Sequence, residues 1–414
     1  VDPNWLNEGM SILAQHLNSY PTSGLEQSFL QMPDTQLNDW SDDVNLNIAH
    51  YGASYLFMDY FATHYGGYAI LKELLQDPAA PPDNFNHVLA RHGYQQTFND
   101  VLHNWYIANY VQDASVEQGA YGYPDLTLPA LTPQHTFNGF PISANDTVHQ
   151  YAAEYYTLPA PARRGTLTMS LKGAPLVRMI NNDPYDGAAN EWWGNRYDNM
   201  DSTLTRSFDL THIHGRKATL QFAAWFDLER DYDYAFVEVS TGDGHWTTLK
   251  GHYTTTNNPN GANWGNGYTG VSGNGNEPVW VQERVDLSPF IGKKIQLRFE
   301  EITDEAVNLQ GFAIDAIRIP ELHFQDTLAS DNGWVSHGFV RSHNVVPEHF
   351  TIQALLYQGT QFTVKEAVVD IASGQVTLRI PNYGVSVTHV VLIVSAYAAE
   401  TTQLAHYQLD IHVR

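Results

Sequence analysis

Trp5-Leu6-Asn7-Glu8-Gly9-Met10-Ser11 lies almost at the start of a 414-residue chain, and how it is read decides how the first hundred residues fold. Asp2 suits the cap of a helix here, and Pro3 its first position, where a missing N–H is no loss. At about 100° per residue, Trp5, Gly9, Met10, Ile12, Leu13, His16 and Leu17 share one arc. Glu8 falls on the edge of that arc. A carboxylate there needs water, a cation or a metal, because an unpaired buried charge is costly. The plain alternative is an acid at a helix start, where the dipole favours it.

Working outward, the pattern stays helical to about residue 115. Residues 45–65 are apolar on nearly every side, so neighbours must bury that helix, and Gly52, Ala53 and Ser54 admit one closely. Gly66-Gly67 ends it. Further helices are expected over 68–76, from a cap at Asp83 to Gly93, and over 97–111, which makes five helices in a bundle. Residues 119–139 are rich in Pro, Gly and Thr and read as a linker. Strand patterns then follow to the end of the chain, with Thr241-Gly242-Asp243-Gly244 as a hairpin turn. The 257–276 loop is long and rich in Gly and Asn, which points to a functional or metal-ordered segment.

The expected fold class is therefore α+β and multidomain. A helical bundle spans 1–118, a linker with the first strands of a β-sandwich 119–180, a jelly-roll sandwich 181–321, and a C-terminal sandwich 322–414. The jelly roll is either inserted into the second sandwich or strung in series with it. Two or three domains suit the chain length. A net charge of -24 argues against nucleic acid or an anionic membrane as partner and favours cations such as Ca²⁺. The absence of cysteine excludes disulfides, thiolate zinc sites and Cys catalysis. No apolar run reaches the roughly 20 residues of a membrane span.

Trp5-Leu6-Asn7-Glu8-Gly9 resembles the third-ligand helix of gluzincin metallopeptidases. Trp192-Trp193-Gly194, the stretch Leu204 to Leu210, Asp231 to Ser240, Gly267-Tyr268-Thr269-Gly270 and Gly311-Phe312-Ala313-Ile314-Asp315 resemble secreted immune inhibitor A-type zinc metallopeptidases. The resemblance implies that 1–118 is the C-terminal half of a catalytic domain and one wall of its cleft. Glu8 would be the third zinc ligand. Two histidines and the water-activating Glu would come from a His-Glu-x-x-His helix, which does not occur in these residues. The implied partner is thus an N-terminal segment of the same protein, and the chain by itself is expected to be inactive. Tyr51 and Tyr55 are candidate donors to the oxyanion, or else core residues with a satisfied hydroxyl.

A structural Ca²⁺, with its six to eight oxygens, is expected at Asp315, an acid in an otherwise apolar strand. Asp183, Asp186, Asp198 and Asp201 are candidate co-ligands, and Glu229, Asp231 and Asp233 form another acidic candidate. Solvated turn acids remain the alternative. His212-Ile213-His214 either puts two imidazoles on one strand face, where they can bind a metal, or leads into a turn at Gly215-Arg216-Lys217. Trp264 and Tyr268 either stack on sugar or protein or anchor their own loop. The implied function is the C-terminal portion of an extracellular zinc metallopeptidase acting on a protein substrate. The alternative from another class is a non-catalytic extracellular filament, sheath or adhesive subunit that self-associates through sandwich edges.

Overall fold

Six helices open the chain: α1 (Asn4–Leu17), α2 (Leu25–Gln31), α3 (Val44–His64), α4 (Ala69–Gln76), α5 (Asp83–Arg91) and α6 (Phe98–Val111). The computed structural model describes residues 3–40, 44–161, 164–305, 307–399 and 401–414. The expected cap at Asp2 lies outside them. Pro3 sits at the N-cap position of α1 rather than within its first turn. The cap role expected of Asp83 is not realised: Asp83 is the first helical residue, after Pro82. Thr97 does cap α6, in a reciprocal box with Asp100 that satisfies two otherwise orphaned donors. Helix α2 is the one the sequence reading lacks. Seven residues hold too little periodicity to announce a helix, and packing against α3 stabilises it.

Helix α3 is buried along most of its length, as its composition demands, with Ile48 exposed near its start. Phe57 is its hub, meeting Trp105 edge-on at 5.3 Å, Phe98 at 5.5 Å and Trp5 at 6.0 Å. Two small residues let the neighbours in. A Cβ on Gly52 would stand 2.1 Å from the Leu25 carbonyl oxygen, and one on Gly9 would stand 2.7 Å from that of Ser54. The Glu8-Gly9 pair thus serves two ends: the glycine seats α1 against α3, and the acid beside it is held at that contact.

The chain divides into two compact units, one built from Val1–Met179 and Val346–Arg414, the other from Ile180–Val345. In the first unit, strands His349–Gln358 and His389–Tyr397 pair antiparallel. Their side chains alternate between two cores. Leu355, Val391 and Ile393 join the helices, while Ile352, Ala354, Leu392 and Val394 join the sandwich interior. A second sheet closes that interior, in the order Ile142–Val148, Ala405–Val413, Gly165–Gly173, Gln375–Tyr383. The helical bundle is therefore not a domain apart, as 1–118 suggested. It shares one apolar cluster with a sandwich sheet.

The second unit is inserted between Met179 and Val346. Two six-stranded sheets contribute to its single core cluster. One runs Thr247–Thr248, Tyr234–Ser240, Lys294–Ile302, Asp201–Asp209, Val335–His337, with Gly267–Tyr268 also paired to Tyr234–Ser240. The other runs Val281–Asp286, Thr219–Asp227, Gly311–Ile319, Glu191–Trp193, Val340–Ser342, with Phe324–Gln325 at its side. Strands between 324 and 342 therefore complete the insert, which continues past the boundary expected at 321. Those strands are two or three residues long, too short to show a period of two.

Candidate functional site

Glu8 is half-buried on α1, and its charge acts on Tyr51 of α3. Burial raises the Tyr51 hydroxyl pKa above its ordinary value, and the Glu8 charge adds to this. Tyr51 packs on Trp40 with ring centres 4.9 Å apart. Tyr55, one turn on, is only 1% exposed and belongs to the core, so of the two candidate donors Tyr51 alone stands beside Glu8. A second turn on, Asp59 is fully buried with Oδ2 unpartnered, and burial followed by the Asp125 charge lifts it to about 7. The sequence reading missed Asp59, although an acid within an all-apolar helix was signal enough. Among the described residues, the one group of three metal-ligating side chains with mutually close donor atoms is Glu229, Asp233 and Asp304. Among the described residues no imidazole pair joins Glu8 in a metal-ligating group, so they do not by themselves fit a zinc ion.

The insert gathers acids in two places. Register pairs Ile314 with Trp192, which brings Asp315 next to Glu191 on the adjacent strand. Both are buried, at 3% and 1% exposure. Burial lifts Asp315 to about 6 against the pull of backbone N–H groups of Ala316 and Tyr185. Burial lifts Glu191 to about 8, and the Asp315 and Asp183 charges add to it. Glu191 Oε2 and Asp315 Oδ2 have no hydrogen-bond partner. Of the expected co-ligands, Asp183 acts on Glu191 through its charge, whereas Asp186 and Asp201 stand exposed. Glu191 was missed because it sits in a three-residue strand among tryptophans.

The second gathering lies at strand ends. Glu229, Asp233 and Asp304 each offer a carboxylate oxygen, all within 4.8 Å of one another. Asp231, expected to belong with Glu229 and Asp233, instead spends its backbone on a loop turn, with φ of 70° and its N–H donating to Thr269 Oγ1. Asp304 takes its place, from the loop just after the strand Lys294–Ile302, 71 residues from Asp233 in sequence. Asp198 is half-buried nearby, accepting from Asn308 Nδ2 at 2.7 Å. Burial lifts Asp233 to about 7, and Asp304, Glu229 and Asp198 add to the effect.

Tyr268 does not offer a stacking face. Its strand pairs with Tyr234–Ser240 and turns the ring into the core against Phe226 and Phe312, leaving it 0% exposed. Trp264 is 62% exposed and lies flat over Phe236 at 6.2 Å. His212 and His214 fall in the turn region before Thr219–Asp227.

The insert is thus a two-sheet antiparallel domain with two acidic clusters, one buried and one half-buried around Asp233. A family model described as the immune inhibitor A-like MAM domain matches residues 173–344. Three relatives agree. The pre-pro-metalloprotease PrtV of Vibrio cholerae serotype O1 is 29% identical over 165 residues, covering 40% of this chain and 17% of that protein. Immune inhibitor A of Bacillus thuringiensis subsp. alesti is 33% identical over 125 residues, covering 30% and 16%. Bacillopeptidase F of Bacillus subtilis is 31% identical over 99 residues, covering 24% and 5%. The chain is related, over part of its length, to the immune inhibitor A-type metallopeptidases. The matched stretches span less than a fifth of these relatives' own length. No described helix is long and apolar enough to cross a membrane.

Proposed function

We propose that residues 1–414 are part of an immune inhibitor A-like zinc metallopeptidase that works outside the cell. The match over 173–344 carries this reading. The seating of Glu8 beside Tyr51, at a contact that Gly9 makes possible, supports it. In the proposal Glu8 holds the metal through its carboxylate, and Tyr51 offers a hydroxyl on the same side. Helices α1 and α3 form part of the cleft wall. The histidine pair and the water-activating carboxylate belong to residues outside this chain, since His-Glu-x-x-His does not occur within it.

The insert, in this proposal, carries a structural Ca²⁺ between Glu191 and Asp315. Two adjacent buried carboxylates, each with an oxygen lacking a partner, favour a hard cation over two separate charges. The 414-residue chain is expected to show no chelator-sensitive peptidase activity and no stoichiometric zinc. Chelator-sensitive cleavage of casein by this polypeptide would overturn the division of labour. In the full-length protein, Glu8→Gln is expected to lower both zinc content and cleavage rate at least 10-fold. Unchanged zinc content in that variant would remove Glu8 from the metal.

A further inference from the structure

We propose that Glu229, Asp233 and Asp304 form a second calcium site, separate from the Glu191–Asp315 pair, which ties two strand-end loops of the insert together. The donor set is all carboxylate, which suits a hard cation rather than Zn²⁺ or Cu²⁺. Their oxygens lie within 4.8 Å of one another. One Ca²⁺ with Ca–O distances of about 2.4 Å bridges that span.

The surrounding backbone holds the group in place. Ile302 pairs with Tyr234, so the chain beyond Ile302 passes Asp233. The Asp304 N–H donates to Asp233 Oδ1 at 2.9 Å. On the other side, the N–H groups of Tyr232 and Asp233 donate to the Glu229 carbonyl, as does Thr269 Oγ1. The Thr303 N–H donates to the Met200 carbonyl. The acids are thus placed by main-chain bonds.

A cluster of acids alone would say little. The pointed observation is Asp233 itself: it is 1% exposed, and its Oδ2 has no partner although Oδ1 does. Behind it, Glu301 is fully buried with Oε1 also unpartnered, and the two charges act on each other. Such groups cost free energy unless something positive enters. The nearby guanidinium of Arg196 bonds Asn308 and acts on Asp198 and Asp227, while that of Arg230 lies against Gly270. The charges of Asp304, Glu229 and Asp198, like that of Glu301, disfavour a charge on Asp233.

The test uses the whole 414-residue chain, stripped with chelator and titrated calorimetrically with CaCl₂. Terbium luminescence, sensitised through Tyr234 and Tyr197, gives an independent readout. Wild type is expected to bind two Ca²⁺. Asp233→Asn is expected to bind one and to lose most of the terbium signal, while Asp315→Asn loses the other ion. Saturating Ca²⁺, at a hundredfold excess over Kd, is expected to raise the melting midpoint by roughly 5 °C. Asp304→Asn guards against a folding defect, because it removes a ligand oxygen and leaves the N–H bond to Asp233 intact. If Asp233→Asn and Asp304→Asn both bind as many ions as wild type, the proposal fails. If wild type binds one ion, lost in Asp315→Asn but kept in Asp233→Asn, the second site fails and the first stands. The reverse pattern removes the Glu191–Asp315 site and keeps this one. No binding at millimolar Ca²⁺ overturns both.

Discussion

In the first unit Glu8 stands half-buried on α1, its charge acting on one tyrosine; in the insert Asp233, Glu191, Asp315 and Glu301 lie almost wholly out of water, in company. The first arrangement offers one oxygen ligand on a rigid seat. The second offers several, drawn together by strand register from positions as far apart as 229 and 304. A single acid can serve only a site completed from elsewhere. A cluster can serve a site that its own fold completes. The difference lies in packing: α1 meets α3 through glycine and leaves its acid at the rim, whereas the insert seats buried acids on its strands and at their ends. Glu301 illustrates this, following Leu297 and Phe299 at every second residue.

The largest effect should come from breaking the helical seat. Phe57→Ala is expected to cost about 3–5 kcal/mol, read by denaturant unfolding of the first unit, with the insert's transition unmoved. A loss under 1 kcal/mol would mean that α3 does not organise the bundle. Next, Glu348 tests whether the first unit too holds an unfavourable buried acid. It is 3% exposed, accepts from Gln150 Nε2 at 2.8 Å, and burial lifts it to about 7. Its folded value lies above the ordinary 4.5 of a free glutamate, so the associated stability is full below that pH and is lost as pH rises through about 7. The loss should reach up to about 3 kcal/mol, and Glu348→Gln should flatten the profile. An unchanged profile in the variant would move the cause elsewhere.

Gly52→Ala is expected to cost about 1–3 kcal/mol, because the new methyl meets the Leu25 carbonyl and α2 must shift. A neutral result would show that α2 is loosely held. The smallest effect is Glu8→Gln, expected within about 0.5 kcal/mol in stability, since its seat is glycine packing rather than charge. A large loss would make Glu8 a structural acid and blur the contrast between the two regions.

Much of the architecture was legible because its period was strong. Helix α3, the strand around Tyr234 to Ser240 and the strand Gly311–Ile319 lie close to where apolar spacing puts them. The shared core was not legible. Strands buried on both faces, such as His389–Tyr397, read as plain apolar runs that do not name what covers them. At the acidic sites, Asp315 stood out as a charge among apolar neighbours. Asp304 and Glu191 did not, because only strand pairing brings them to their partners. For Tyr268 the sequence left display and anchoring both open, and only the pairing of Gly267–Tyr268, which turns the ring inward, decides between them.

The short strands at either end of the insert, Leu176–Arg178 and Val345–Pro347, pair with each other. Entry and exit are therefore neighbours, and the 166 residues between Met179 and Val346 form a cassette. Excising the cassette and sewing the two ends with a short turn should leave the parent able to fold.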